Sequence, residues 1–169
     1  MRDLALLAEG FAYPRPGRIE ELRRAFDRLQ SGGARKRFAR FIDAMGELSL
    51  AEWEELHTRT LDLGPLFAPY VGYVTWGDNY HRGEFMAELK VAQELAGVET
   101  SGELPDHLDP VLRLLAVADP APASLLEALP KALDKMRSEL KDAERDNPYR
   151  HLLAAIAEVD LPAPVGGVQ

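Results

Sequence analysis

Cysteine is absent from the 169-residue chain. That removes disulfides, thiol nucleophiles, zinc ribbons and cysteine-ligated iron–sulfur clusters from consideration. Long apolar runs are missing too. No stretch approaches the ~18–20 residues that a helix needs to cross a bilayer, so no stable membrane insertion is expected. There is no GxxxxGK[ST] loop, no GxGxxG and no GxSxG; the missing phosphate loop argues against an ATP-driven mechanism. Positive charge is in deficit: the net charge of −8 at pH 7 opposes general nucleic-acid binding. The first residues, Met-Arg-Asp-Leu, place an acid where a signal peptide carries positive charge, and a cytoplasmic location is expected.

What is present is helical periodicity. Hydrophobic residues make up 46% of the chain, which at this length supports one domain with a substantial core. Leu4, Leu7, Ala8 and Phe11 mark a first helix, ended by Tyr13-Pro14-Arg15-Pro16. Leu22, Ala25, Phe26 and Leu29 mark a second, and Ser31-Gly32-Gly33 reads as a flexible break. Phe38, Phe41, Ile42 and Met45 define a third. Ser49 to Glu52 has the capping-box pattern of a helix running to about Asp62, with Trp53, Leu56 and Leu63 inward. The run from Pro65 to Trp76 has strand-like composition but no window to pair with, so it reads as a short helix broken near Gly72. Leu129, Leu133, Met136 and Leu140 align along Ala123 to Glu144, where Pro130 kinks the helix or marks a new start. Asn147-Pro148 opens a last helix with Leu152, Ile156 and Val159 inward. The expected fold class is all-α: a single-domain bundle of seven or eight helices over residues 1–160, then a flexible Pro/Gly-rich tail over 161–169.

The most informative stretch is Gly77 to Ala116. Asp78 and Asn79 can cap a helix whose apolar face is Phe85, Met86, Leu89, Ala92 and Ala96, and Gly97 can stop it. Pro105 breaks the chain and Asp106 can cap a second helix, with His107 in its first turn and Leu108, Val111, Leu112 and Leu115 inward. Two helices joined by a polar turn predict a hairpin with a groove between them.

The polar residues here permit other chemistry. His81 and Glu84 lie three apart, and Asp106 and His107 are adjacent, so a metal-dependent enzyme using His81, Glu84, Asp106 and His107 is one alternative. Against it, the Glu-x-x-His order of di-iron bundles is reversed and unpaired. A second alternative uses the basic segment. Residues 15–40 hold nine Arg/Lys against three acids, a local +6 that leaves −14 for the remainder. That segment reads as solvated helix faces or as a docking surface for an acidic partner, and a regulator using Arg35 to Arg40 on nucleic acid is conceivable.

RGEFMAELK, followed after a helix and a glycine by ELPDHLDPVLRLLA, resembles the delta-subunit family of respiratory nitrate reductases. These are the NarJ-type assembly chaperones, within the wider group that matures molybdenum enzymes; ELPDHL is the most specific element. The resemblance implies a non-catalytic chaperone without metal or cofactor of its own. Its partner would be the catalytic subunit of a molybdenum nitrate reductase, bound through the N-terminal peptide and held open for molybdenum cofactor insertion. Molybdenum cofactor biosynthesis proteins are further candidate partners, and a related molybdenum oxidoreductase is an alternative client. The implied peptide-binding residues are Tyr70, Arg82, Glu84, Phe85, Leu89, Glu103, Asp106, His107, Leu108 and Leu112. Apolar anchors would give affinity and charges register.

Overall fold

Apolar residues three and four apart become buried helix faces throughout residues 1–165, the part of the chain described by the structure, a computed structural model. Nine α-helices follow in order: α1 (Asp3–Ala8), α2 (Arg18–Arg28), α3 (Gly32–Gly46), α4 (Leu50–His57), α5 (Val71–Trp76), α6 (Tyr80–Ala96), α7 (Leu108–Val117), α8 (Ala123–Ala143) and α9 (Tyr149–Ala157). A 3₁₀ turn (Glu9–Phe11) extends α1, and a π-helical turn (Thr58–Asp62) extends α4. No strand occurs among the described residues, where the only β-type pairing is an isolated bridge between Tyr70 and His107. The fold is all-α.

Helix α9 sits at the centre. Tyr149, Leu152, Leu153, Ala155 and Ile156 are all buried, and the helix packs on α1, α3 and α8. Around it, α1 packs on α7 and α5 packs on α8 and α6. Local chemistry fixes where the helices start. Ser49 and Glu52 form the reciprocal capping box. The Asn79 side chain accepts from the N–H groups of His81 and Arg82. Asn147 Oδ1 accepts from the Tyr149 N–H, while its amide donates to Thr60 Oγ1, tying the start of α9 to the π turn.

Four expectations need correction. Ser31-Gly32-Gly33 is not a flexible break. The Ser31 side chain accepts from the Ala34 N–H, and both glycines lie in the first turn of α3. Leu63 does not face inward: its N–H closes the π turn on the Thr58 carbonyl, its side chain is 79% exposed, and Leu61 is buried instead. Of the two readings of Pro130, the new helix start fails, because α8 runs through it as one helix. The 65–76 run is not broken at Gly72, because α5 begins at Val71 and passes through it. Of the expected tail, residues 161–165 carry no helix and Leu161 packs partly against the core; residues 166–169 lie outside the described residues.

Four of the nine cations of the basic segment are engaged within the fold, whereas Arg23, Arg24, Arg28, Lys36 and Arg40 are exposed. Arg15 and Arg18 both reach Glu21. Arg35 donates to the Phe26 and Leu29 carbonyls, closing the end of α2, and lies over the Phe26 ring. Arg37 is 3.6 Å from Glu158.

Candidate functional site

The ELPDHL run is a fastener. Its backbone pairs with the chain before α5: the Val71 N–H donates to the Asp106 carbonyl and the Leu108 N–H to the Pro69 carbonyl, each at 2.9 Å. Asp106 is fully buried, and Arg82 holds both its carboxylate oxygens, Nε at 2.9 Å and Nη2 at 3.3 Å. That guanidinium also lies over the rings of Tyr70 and Tyr73. The buried Gln93 of α6 donates its amide to the Pro105 carbonyl. A Cβ at Gly72 would stand 2.8 Å from Asp106 Oδ2 and 3.0 Å from Phe85 Cδ1, so glycine lets α5 approach the pair.

Asp106 is therefore not the cap of α7. That role belongs to His107, whose Nδ1 accepts from the Asp109 N–H at 3.1 Å. An accepting Nδ1 carries no proton, so in neutral His107 the proton sits on Nε2, which lies 4.0 Å from Glu103 Oε2. Burial pushes the His107 imidazole below its usual value, against the opposing pull of Glu103, Asp109 and Asp106.

His107 forms one wall of an open cavity of about 390 Å³ at the meeting of the first and second 3₁₀/π turns with the α7 start. Tyr70 packs edge-on against its ring at 5.3 Å, and Phe11 does so at 6.3 Å. Opposite, the half-exposed Tyr13 ring meets His57 edge-on at 5.1 Å. His57 Nδ1 lies 3.2 Å from the buried Tyr149 hydroxyl, and burial lowers the pKa of this imidazole as well. Four ionisable side chains of other types line the rim: Asp62, Glu103, Asp109 and Arg113. Arg113 is engaged by Asp109 and Glu9. Asp62 and Glu103 have no Arg or Lys within 4 Å among the described residues, so the cavity carries uncompensated negative charge beside two tyrosine rings. Burial and the charges of Glu103 and Asp106 hold the Tyr70 hydroxyl above its usual pKa, leaving it a hydrogen-bond donor at neutral pH.

No family model matches the chain, and no curated protein matches it.

The ten residues named from the sequence fall into three groups. Tyr70, Glu103 and His107 line the cavity, with Arg82 and Asp106 locked behind its wall. Phe85, Leu89, Leu108 and Leu112 are core residues, at most 3% exposed, so the expected groove between α6 and α7 is filled by the side chains that were to line it. Glu84 is on the surface 3.9 Å from His81, away from the buried pair. The set His81, Glu84, Asp106 and His107 does not converge: Arg82 occupies the Asp106 carboxylate, His107 spends Nδ1 on the cap, and no cluster of three or more His, Cys, Asp or Glu able to hold a metal occurs among the described residues. The sequence reading missed Tyr13, His57 and Asp62. His57 was legible in principle, since Trp53, Leu56, His57 and Thr60 share one helical face and all are buried.

Proposed function

We propose that the chain is a non-catalytic assembly chaperone that receives a basic segment of a client protein in the cavity over Asp62 and Glu103. One observation carries this: two carboxylates without a cationic partner flank an open cavity walled by Tyr13, Tyr70 and His107, which suits an arginine or lysine side chain. Both imidazoles have a ring nitrogen committed to structure, which supports binding over proton shuttling. The resemblance of RGEFMAELK and ELPDHLDPVLRLLA to the nitrate reductase delta subunits supplies the client: the N-terminal segment of the catalytic subunit of a respiratory nitrate reductase, kept competent for molybdenum cofactor insertion. A related molybdenum oxidoreductase would present the same chemistry.

The test is calorimetry of the purified chain with a synthetic peptide of that N-terminal segment. The expected result is saturable binding that weakens with salt and falls about tenfold in the double variant Asp62→Asn, Glu103→Gln. Unchanged affinity in that folded variant, or no binding at high micromolar peptide, overturns the proposal.

A further inference from the structure

A second open cleft, of about 620 Å³, lies between α3, α8 and α9. Arg40 reaches it from α3, Arg137 and Lys141 from α8, and Arg150 from α9, while Arg145 closes it from the turn after α8. None of these five cations has a carboxylate within 4 Å among the described residues. Arg37 also lines the cleft but leans towards Glu158. Asp134 is the single acid on the lining. Such a concentration of unneutralised cations is anomalous in a chain of net charge −8. Like charges gathered around a concave surface repel one another and focus a positive potential into it. His151, half-buried in the same wall, registers that field. Its imidazole lies below the usual value, first through burial and then through the charges of Arg150, Arg40 and Arg37.

The shape of the array selects the ligand class. Guanidinium groups on three helices converge on one cleft and offer paired N–H donors from several directions, the arrangement that suits phosphoryl oxygens. The volume is that of a small-molecule site. A long polyanion would instead need a basic stripe longer than this cleft. We propose that the cleft binds a small anion carrying two or more phosphoryl groups. Arg40 and Arg150 grip it from opposite walls, with Arg137, Lys141 and Arg145 completing its charge. This site is separate from the acidic cavity and does not depend on the function proposed for that cavity.

The probe is inorganic tripolyphosphate, titrated into the full chain by calorimetry at constant ionic strength. A short single-stranded DNA and a poly-glutamate peptide are run in parallel. The expected result is saturable one-to-one binding of tripolyphosphate. Affinity should fall about tenfold in Arg150→Gln and be lost in the Arg40→Gln, Arg150→Gln double variant. These side chains are exposed, so the fold should survive, as circular dichroism will check. The His151 resonances give an independent readout: a bound polyanion should raise the pKa of that imidazole, and the double variant should abolish the rise on adding tripolyphosphate. Non-saturable binding, binding unchanged in the variants, or tighter one-to-one binding of the DNA or the poly-glutamate would each overturn the proposal.

Discussion

Asp106 and His107 show how far single residues can be read from a sequence. Polar residues after Pro105 announce a helix start, and one occurs there; which of the two caps it depends on a partner far away in the chain. Arg82, 24 positions earlier, claims the carboxylate, and the cap passes to the imidazole. No local pattern announces such a pairing. Were Asp106 a cap, Asn would replace it at little cost. As half of a buried ion pair, Asp106→Asn leaves the Arg82 guanidinium without its counter-charge and should destabilise the protein by about 3–5 kcal/mol in urea unfolding; a loss under about 1 kcal/mol would contradict this account. The imidazoles give a pH dependence of definite sign. His57 and His107 are both held below their usual value by burial, so the folded state binds fewer protons than the unfolded one. Their stabilising contribution is complete above the unfolded value of about 6.5 and is lost as pH falls towards the depressed folded values. Protonating His107 at Nδ1 also removes the α7 cap. Stability should therefore decline between pH 7 and 5, and His107→Asn, which caps without titrating, should show a smaller decline over that interval.

At the scale of elements, helix positions were legible because burial imposes the 3.6-residue period, and their faces were mostly legible for the same reason. Helix α6 marks the limit. Its buried line is Phe85, Leu89 and Gln93; of the face read from the sequence, Phe85 and Leu89 are on that line, Met86 and Ala92 are partly buried and Ala96 is exposed. Polarity hid Gln93, since only the Pro105 carbonyl explains its place inside. The expected groove failed likewise, because periodicity identifies an apolar face without saying whether it is covered. Leu89 decides between the two readings. As a core residue it should lose about 2–5 kcal/mol of stability on change to Ala, measured by thermal or urea unfolding, with peptide affinity of the folded variant preserved. The opposite pattern, stability kept and affinity lost, would restore the groove. Three apolar side chains that stay exposed, Val91 and Leu95 on α6 and Val117 at the end of α7, border an open trough of about 760 Å³ beside the 118–122 loop.

For the molecule as a whole, net charge conceals a division. The acidic cavity sits where the α1 and α4 extensions meet α7, and the cationic cleft sits among α3, α8 and α9. The sequence showed a basic excess in residues 15–40, but folding engages Arg15, Arg18 and Arg35 elsewhere and draws most of the cleft from α8 and α9. That recruitment across the chain explains why the cleft could not be read locally. Because no ionisable group lines both sites, basic peptide and tripolyphosphate should bind independently: the affinity for either, measured with the other saturating, should change less than about threefold, against the 5–150-fold typical of coupled sites. The position of α9 has a consequence of another kind. Helix α9 is the last to be made among those described, and its buried face must pack on α1 and α3, more than 100 residues upstream. A ribosome delivering the chain at about 5–20 residues per second would expose α1 and α3 for several seconds before their partner emerges. During that time the growing polypeptide presents the apolar surfaces awaiting α9, a vulnerability that final stability does not report.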